Sequence, residues 1–160
     1  MPVPAAMITS AAYLIEGDTR DPHLFVPEMS RRARAVEVWA ALRSLGKEGL
    51  AALIDTCCAH AQRMAQALQA AGFEVLNEVV LNQVLVAFGS PETTRQVIAA
   101  VQQDGACWFG GTVWQGKTAM RISVSSWATT DRDIDRSLEA IIRIASKALV
   151  GQNPGQLGLA

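Results

Sequence analysis

The 160-residue chain has two histidines, three cysteines and one tyrosine, and these shortages narrow its chemistry at once. With only His23 and His60 available, no Cys/His spacing resembles a zinc site. The cysteines are odd in number, and Cys57 and Cys58 are neighbours in an apparent helix, where their side chains point in different directions. Buried free thiols are the expectation. No apolar run approaches the ~18 residues of a membrane span. Fourteen Lys and Arg against fifteen Asp and Glu leave a net charge of −1 and no basic stripe. Nucleic acid and membrane are therefore disfavoured as partners. Met1 to Ala12 lacks the positive start and apolar centre of a secretion signal, so a cytoplasmic location is expected. Neither a P-loop, a GxGxxG fingerprint nor a Gly-x-Ser-x-Gly elbow occurs, and no internal repeat is visible.

What is present divides by pattern. Residues 1–29 hold four of the six prolines and scattered apolar residues without a sustained period, and read as an extended arm. Residues 30–46 read as an interface or linker helix: Ser30 is a plausible N-cap, Arg31 to Leu45 are helix formers, and Gly46 is the stop. This helix is apolar nearly all round (Ala33, Val36, Val38, Trp39, Leu42, Leu45) and needs partners on several sides. Arg31, Arg32 and Arg34 crowd its first turn, where the helix dipole disfavours cations. They either pair with local acids such as Glu28 and Glu37 or meet an anion or another subunit.

Residues 47–150 read as an α+β domain, and 151–160, rich in glycine, as a disordered tail. The domain opens with an amphipathic helix carrying Leu50, Leu53, Ile54, Cys57, Ala61, Met64, Leu68 and Ala71, stopped by Gly72. His60 lies at the edge of that stripe as a packing or surface residue. Strands are predicted over Phe73–Leu76 and Val79–Phe88. A helix capped by Ser90-Pro91 follows, with Val97, Ile98 and Val101 inward and Gly105 at its end. Cys107–Trp114 is strand-like with a bulge or close approach at Gly110-Gly111, and Gln115-Gly116-Lys117 makes a turn. On the return strand Met120, Ile122 and Val124 form an apolar face, with Arg121, Ser123 and Ser125 opposite. Thr130 and Asp133 start a last helix with Ile134, Leu138, Ile141, Ile142, Ala145 and Leu149 buried. The pattern implies an antiparallel sheet with helices on one face. Without family knowledge the residues say no more than a soluble α+β domain.

Three segments carry a resemblance: PEMSRRARAVEVWAALRSLGKEGL (Pro27–Leu50), EVLNEVVLNQVLVAFG (Glu74–Gly89) and DGACWFGGTVWQGKTAMRISVSSWATTDRDIDRSLEAIIRIA (Asp104–Ala145). In order and wording, from about Ala12 to Ala148, the chain resembles the C-terminal portion of a pyridoxal-phosphate-dependent group II amino-acid decarboxylase, related to the aromatic-amino-acid and glutamate decarboxylases. The resemblance implies the small C-terminal α+β domain of the aspartate-aminotransferase fold (type I), a homodimer, and pyridoxal phosphate as the sink for electrons left when an amino acid loses its α-carboxylate. It implies that Ser30 lies near the cofactor phosphate across the dimer interface. It makes Arg121 a candidate to pair with a substrate carboxylate, the alternative being a structural ion pair with Asp104 or Glu78.

The chain also departs from the family. The Schiff-base lysine of these enzymes follows a histidine upstream of the arginine-rich helix, and here Asp21-Pro22-His23-Leu24 has leucine in that place. Lys47, Lys117 and Lys147 all read as solvated, and the ring-stacking histidine and nitrogen-pairing aspartate are missing. No catalytic residue is therefore assigned, and the chain is expected to be a catalytically incomplete fragment, acting as a homodimer or as the complement of a missing large domain. The alternative is a non-catalytic module that docks on a full-length decarboxylase; an unrelated ligand-binding domain leaves the three segments unexplained.

Overall fold

The computed structural model describes residues 32–150; Ser30, the arm and the tail lie outside them. The chain falls into two units that meet between Leu45 and Gly46. The helical run α1, Ala35–Ala70, crosses that boundary but is broken at Gly46, whose φ of 62° and ψ of −170° are not helical. A φ and ψ of that kind belong almost exclusively to glycine.

In the first unit the helix starts at Ala35, later than the sequence implied. A turn precedes it, with Arg34 N–H donating to the Arg32 carbonyl at 2.8 Å. Arg32 forms an ion pair with Glu37, the local acid expected to neutralise it. Val36, Val38, Trp39, Leu42 and Leu45 are all exposed, Trp39 at 64%.

In the second unit the remainder of α1 buries Cys57, His60, Ala61, Met64, Ala65 and Leu68, at the three- and four-residue spacing of one helical face. Gly72, at φ 86°, ends it; Phe73 N–H reaches back to the Leu68 carbonyl at 3.0 Å and Gly72 N–H to that of Gln69 at 2.9 Å. This left-handed cap satisfies carbonyls the helix leaves open. Phe73 is thereby delivered into the core, edge-on to Phe88 with ring centroids 5.0 Å apart.

Four antiparallel strands follow among the described residues: β1 (Glu74–Val75), β2 (Gln83–Ala87), β3 (Gly110–Trp114) and β4 (Lys117–Ser123), in the order β1-β2-β4-β3. Three strand expectations need correction, and the first is that the strand predicted over Cys107–Trp114 begins only at Gly110. The strand predicted from Val79 begins only at Gln83, and the Asn77 side chain bonds that end of it. Its Oδ1 accepts from Leu85 N–H at 2.8 Å and its Nδ2 donates to the Gln83 carbonyl at 3.1 Å. Val80 and Leu81 are left exposed in the loop. Nor is Gly110-Gly111 a bulge: Gly110 pairs with Arg121 and Gly111 with Met120 in an unbroken register. Gln115 and Gly116, at φ 47° and 79°, form the two-residue turn, and Lys117 already belongs to β4. Two successive positive φ values match the right-handed strand twist and fix the pairing.

Helix α2 (Pro91–Asp104) is capped as the sequence implied, with Thr93 N–H donating to Ser90 Oγ at 3.1 Å and Gly105 left-handed at its end. Thr94 Oγ1 accepts from Phe88 N–H at 3.0 Å, tying the start of α2 to the end of β2. Helix α3 (Asp131–Val150) opens with the reciprocal cap: Thr130 N–H donates to Asp133 Oδ2 at 2.9 Å and Asp133 N–H to Thr130 Oγ1 at 3.3 Å. The apolar stripes of the helices meet Val84, Val86, Phe88, Met120, Ile122 and Val124 in one core on one face of the sheet.

Candidate functional site

Strand alternation turns Leu85, Ala87, Ala119, Arg121 and Ser123 away from that core. Arg121 sits in the middle of this second face, with Leu85 opposite it on β2 and Gly110 opposite it on β3. Its side chain is exposed. A Cβ built on Gly110 would meet nothing within 4 Å, so the flank of Arg121 towards β3 is open. Toward the turn, Lys117 pairs with Glu74 of β1 at 2.5 Å, so that cation and that acid are engaged with each other.

The alternative partners proposed for Arg121 do not take it. Asp104 receives Arg143 at 2.6 Å, and Glu78 is in no ion pair among the described residues. The Arg143 hydrogen bond, more than any other interaction, holds the Asp104 carboxyl below its ordinary value. Asp133 is likewise lowered, first by the hydrogen bond from the Thr130 hydroxyl. Among the described residues Arg121 makes no ion pair, so its guanidinium has a fork of donors to offer a planar anion.

The remaining candidates are scattered. All three cysteines are free, as expected, with Cys57 buried and the other two partly so. Burial raises the Cys107 thiol above its ordinary value, the opposite of an activated nucleophile. His60 is buried, its Nε2 3.3 Å from Asp131 Oδ1, and its Nδ1 has no hydrogen-bond partner among the described residues. Arg63 binds the same Asp131 oxygen at 3.1 Å and also pairs with Asp135, so one end of α3 is clasped to α1. That cluster was missed in the sequence. Its signal was spacing: His60 and Arg63 lie three apart and Asp131 and Asp135 four apart, each pair on one helical face.

The cavities among the described residues are small or open toward solvent. The cavity lined by Met64, Cys107, Phe109, Ser123, Asp133 and Ser137, among others, encloses about 160 Å³. That is below the ~300 Å³ usual for ligand pockets, but more open clefts reach about 370 Å³ beside Gln96, Ile144 and Lys147 and about 460 Å³ beside Arg95, Ile98 and Thr112. No lysine lines the smaller cavity. Lys47, Lys117 and Lys147 are all exposed, and Lys147 borders one of those open clefts. No cluster of metal-binding side chains occurs among the described residues, and no described helix is long and apolar enough to cross a membrane.

One family model and several solved structures match the chain. The model of the pyridoxal-dependent decarboxylase conserved domain matches residues 2–89, more than half of the chain. Tryptophan decarboxylase from Oryza sativa, solved with pyridoxal phosphate and tryptamine, superposes with a TM-score of 0.74 at 18% identity, over 89% of this chain and 33% of that one. Tryptophan decarboxylase from Catharanthus roseus gives 0.65 at 20% identity, over 73% and 27%. The glutamate decarboxylase domain of a Vibrio parahaemolyticus transaminase and decarboxylase gives 0.59 at 23%, over 71% and 26%. The chain thus spans about a quarter to a third of the proteins whose fold it shares.

Proposed function

Since the chain belongs to the pyridoxal-dependent decarboxylase family, we propose that it is the C-terminal, small-domain part of a cytoplasmic amino-acid decarboxylase, inactive until joined to a portion carrying the Schiff-base lysine. In that reading residues 30–46 are the linker to the large domain and Ser30 stands by the cofactor phosphate. Residues 47–150 form one wall of the site in a homodimer. The observation that carries it is Arg121: exposed on the sheet face turned from the core, open toward Gly110, and without an ion pair among the described residues. Arg121 binds and orients the carboxylate of an amino-acid substrate. The cofactor of the family supplies the electron sink for decarboxylation. No step through it is assigned to this chain.

Two measurements test the reading. The isolated chain treated with pyridoxal phosphate and borohydride should give no stoichiometric adduct at Lys47, Lys117 or Lys147; such an adduct would contradict its incompleteness. In a reconstituted enzyme, Arg121→Gln should lower kcat/KM by about 10- to 150-fold, the loss of a charged hydrogen bond of ~1.5–3 kcal/mol. Unchanged kinetics would remove Arg121 from the site.

A second reading, a non-catalytic module docking on a full-length decarboxylase, draws support from the exposed Val36, Val38, Trp39, Leu42 and Leu45. It requires that the chain bind an intact homologue without completing any active site. Recovery of lysine-dependent turnover on mixing with a large domain argues for the first reading instead.

A further inference from the structure

The two edges of the sheet differ. β1 is two residues long and begins at Glu74, which is engaged by Lys117. Short strands and charged side chains are common devices for protecting an edge. β3 has five residues, and from Gly105 to Gly116 the sequence GACWFGGTVWQG has no charge and no proline. Among the described residues its outer side pairs with no strand. In a two-residue hairpin the pair flanking the turn is hydrogen-bonded and the bonding alternates from there. Trp114 faces Lys117, so Gly110, Thr112 and Trp114 bond to β4, while Gly111 and Val113 direct their N–H and C=O groups out of the sheet.

This edge is complementary to itself. When two copies are laid antiparallel about a two-fold axis through Thr112, Gly111 of each exchanges backbone bonds with Val113 of the other. Trp114 of each then lies over Gly110 of the other. The large side chains, Val113 at 68% and Trp114 at 44% exposure, meet glycines. On the helix face the second copy's Val113 enters a groove lined by Arg95, Ile98, Gly111, Thr112, Thr118 and the first copy's own Val113, where Arg95 is already turned to Glu92 at 3.4 Å. On the other face the missing Cβ of Gly110 leaves open space for the indole. Aromatic residues laid over edge glycines are a known way of pinning strand register. With no charge between Gly105 and Gly116, the two-fold brings no like charges of that segment together.

We propose that the outer edge of β3 is a self-association surface, on which a second copy of this chain pairs antiparallel about Thr112 and joins the two sheets into one. This goes beyond the decarboxylase reading, and the edge-paired state excludes a substrate at Arg121, because the indole takes the space beside Gly110. Sedimentation of the 160-residue chain across a concentration series should show a reversible monomer–dimer equilibrium. Val113→Pro removes only an outward N–H and leaves the β4 ladder intact. It should weaken association by about tenfold or more at unchanged circular dichroism. Thr112→Cys places two thiols at a non-hydrogen-bonded pair, with Cα atoms ~4.5 Å apart. Mild oxidation of this variant with oxidised glutathione should then give a disulfide-linked dimer that the wild-type chain, with its native cysteines, does not form. Trp39→Glu should leave the dimer unchanged. A monomer at every concentration overturns the proposal. So does a dimer that survives Val113→Pro or is lost with Trp39→Glu. If Val113→Pro fails to fold, the absence of a cross-link in Thr112→Cys is enough to overturn it.

Discussion

The two pieces of α1 on either side of Gly46 are built from similar residues yet end differently. Ala35–Leu45 and the stretch running to Ala70 both place leucine at helical spacing, but Leu42 is 48% exposed while Leu68 is 0% exposed. The second piece has Phe73, the sheet and α3 to pack on; the first, among the described residues, keeps its valines, tryptophan and leucines in solvent. Apolar periodicity states that a face must be covered, not that the cover belongs to the same unit.

The sharpest way to break this comparison is one substitution made on both sides. Leu68→Ala should cost about 2–5 kcal/mol of stability, since it opens a cavity in a closed core. Leu42→Ala should stay within about 0.5 kcal/mol. Chemical denaturation of the two variants checks both; equal losses would mean that the first piece is buried in solution. A smaller effect is expected where the second unit depends on its own caps. Ser90→Ala removes the side-chain acceptor at the start of α2 and should cost about 1 kcal/mol by the same measurement, without altering the first unit's helix.

The smallest effect is electrostatic. Asp104 and Asp133 have folded-state pKa values below the ordinary range because Arg143 and Thr130 stabilise their charged forms. A lowered folded value contributes stability that is complete above the unfolded pKa and disappears as pH falls through the folded one. Below about pH 4, stability should fall more steeply in the wild-type chain than in Asp104→Asn. Thermal midpoints taken down the acid limb check this, and parallel curves would refute it.

Much of the fold could be read locally. The caps at Ser90 and Thr130, the stop at Gly72 and the hairpin at Gln115-Gly116 rest on side-chain and backbone preferences that act within a few residues. The errors arose where composition did not fix pairing. Val79–Asn82 has strand composition, yet β2 starts only at Gln83, where Asn77 bonds to it. Gly110-Gly111 suggested a bulge, but pairing with β4 held it in register. At the candidate site, the alternation that turns Arg121 from the core was legible. The removal of Asp104 from its reach was not, because Arg143 lies 39 residues from that acid.

By itself, then, the sequence determined where helices stop, which face of β4 is apolar and which family wording the chain carries, since these depend on local stereochemistry and periodicity. Only the tertiary structure decided which charges remain available. An ion pair such as Arg143–Asp104 or Lys117–Glu74 forms between residues that folding brings together, and Arg121, one of the cations in no ion pair among the described residues, is the group on which the proposed function rests.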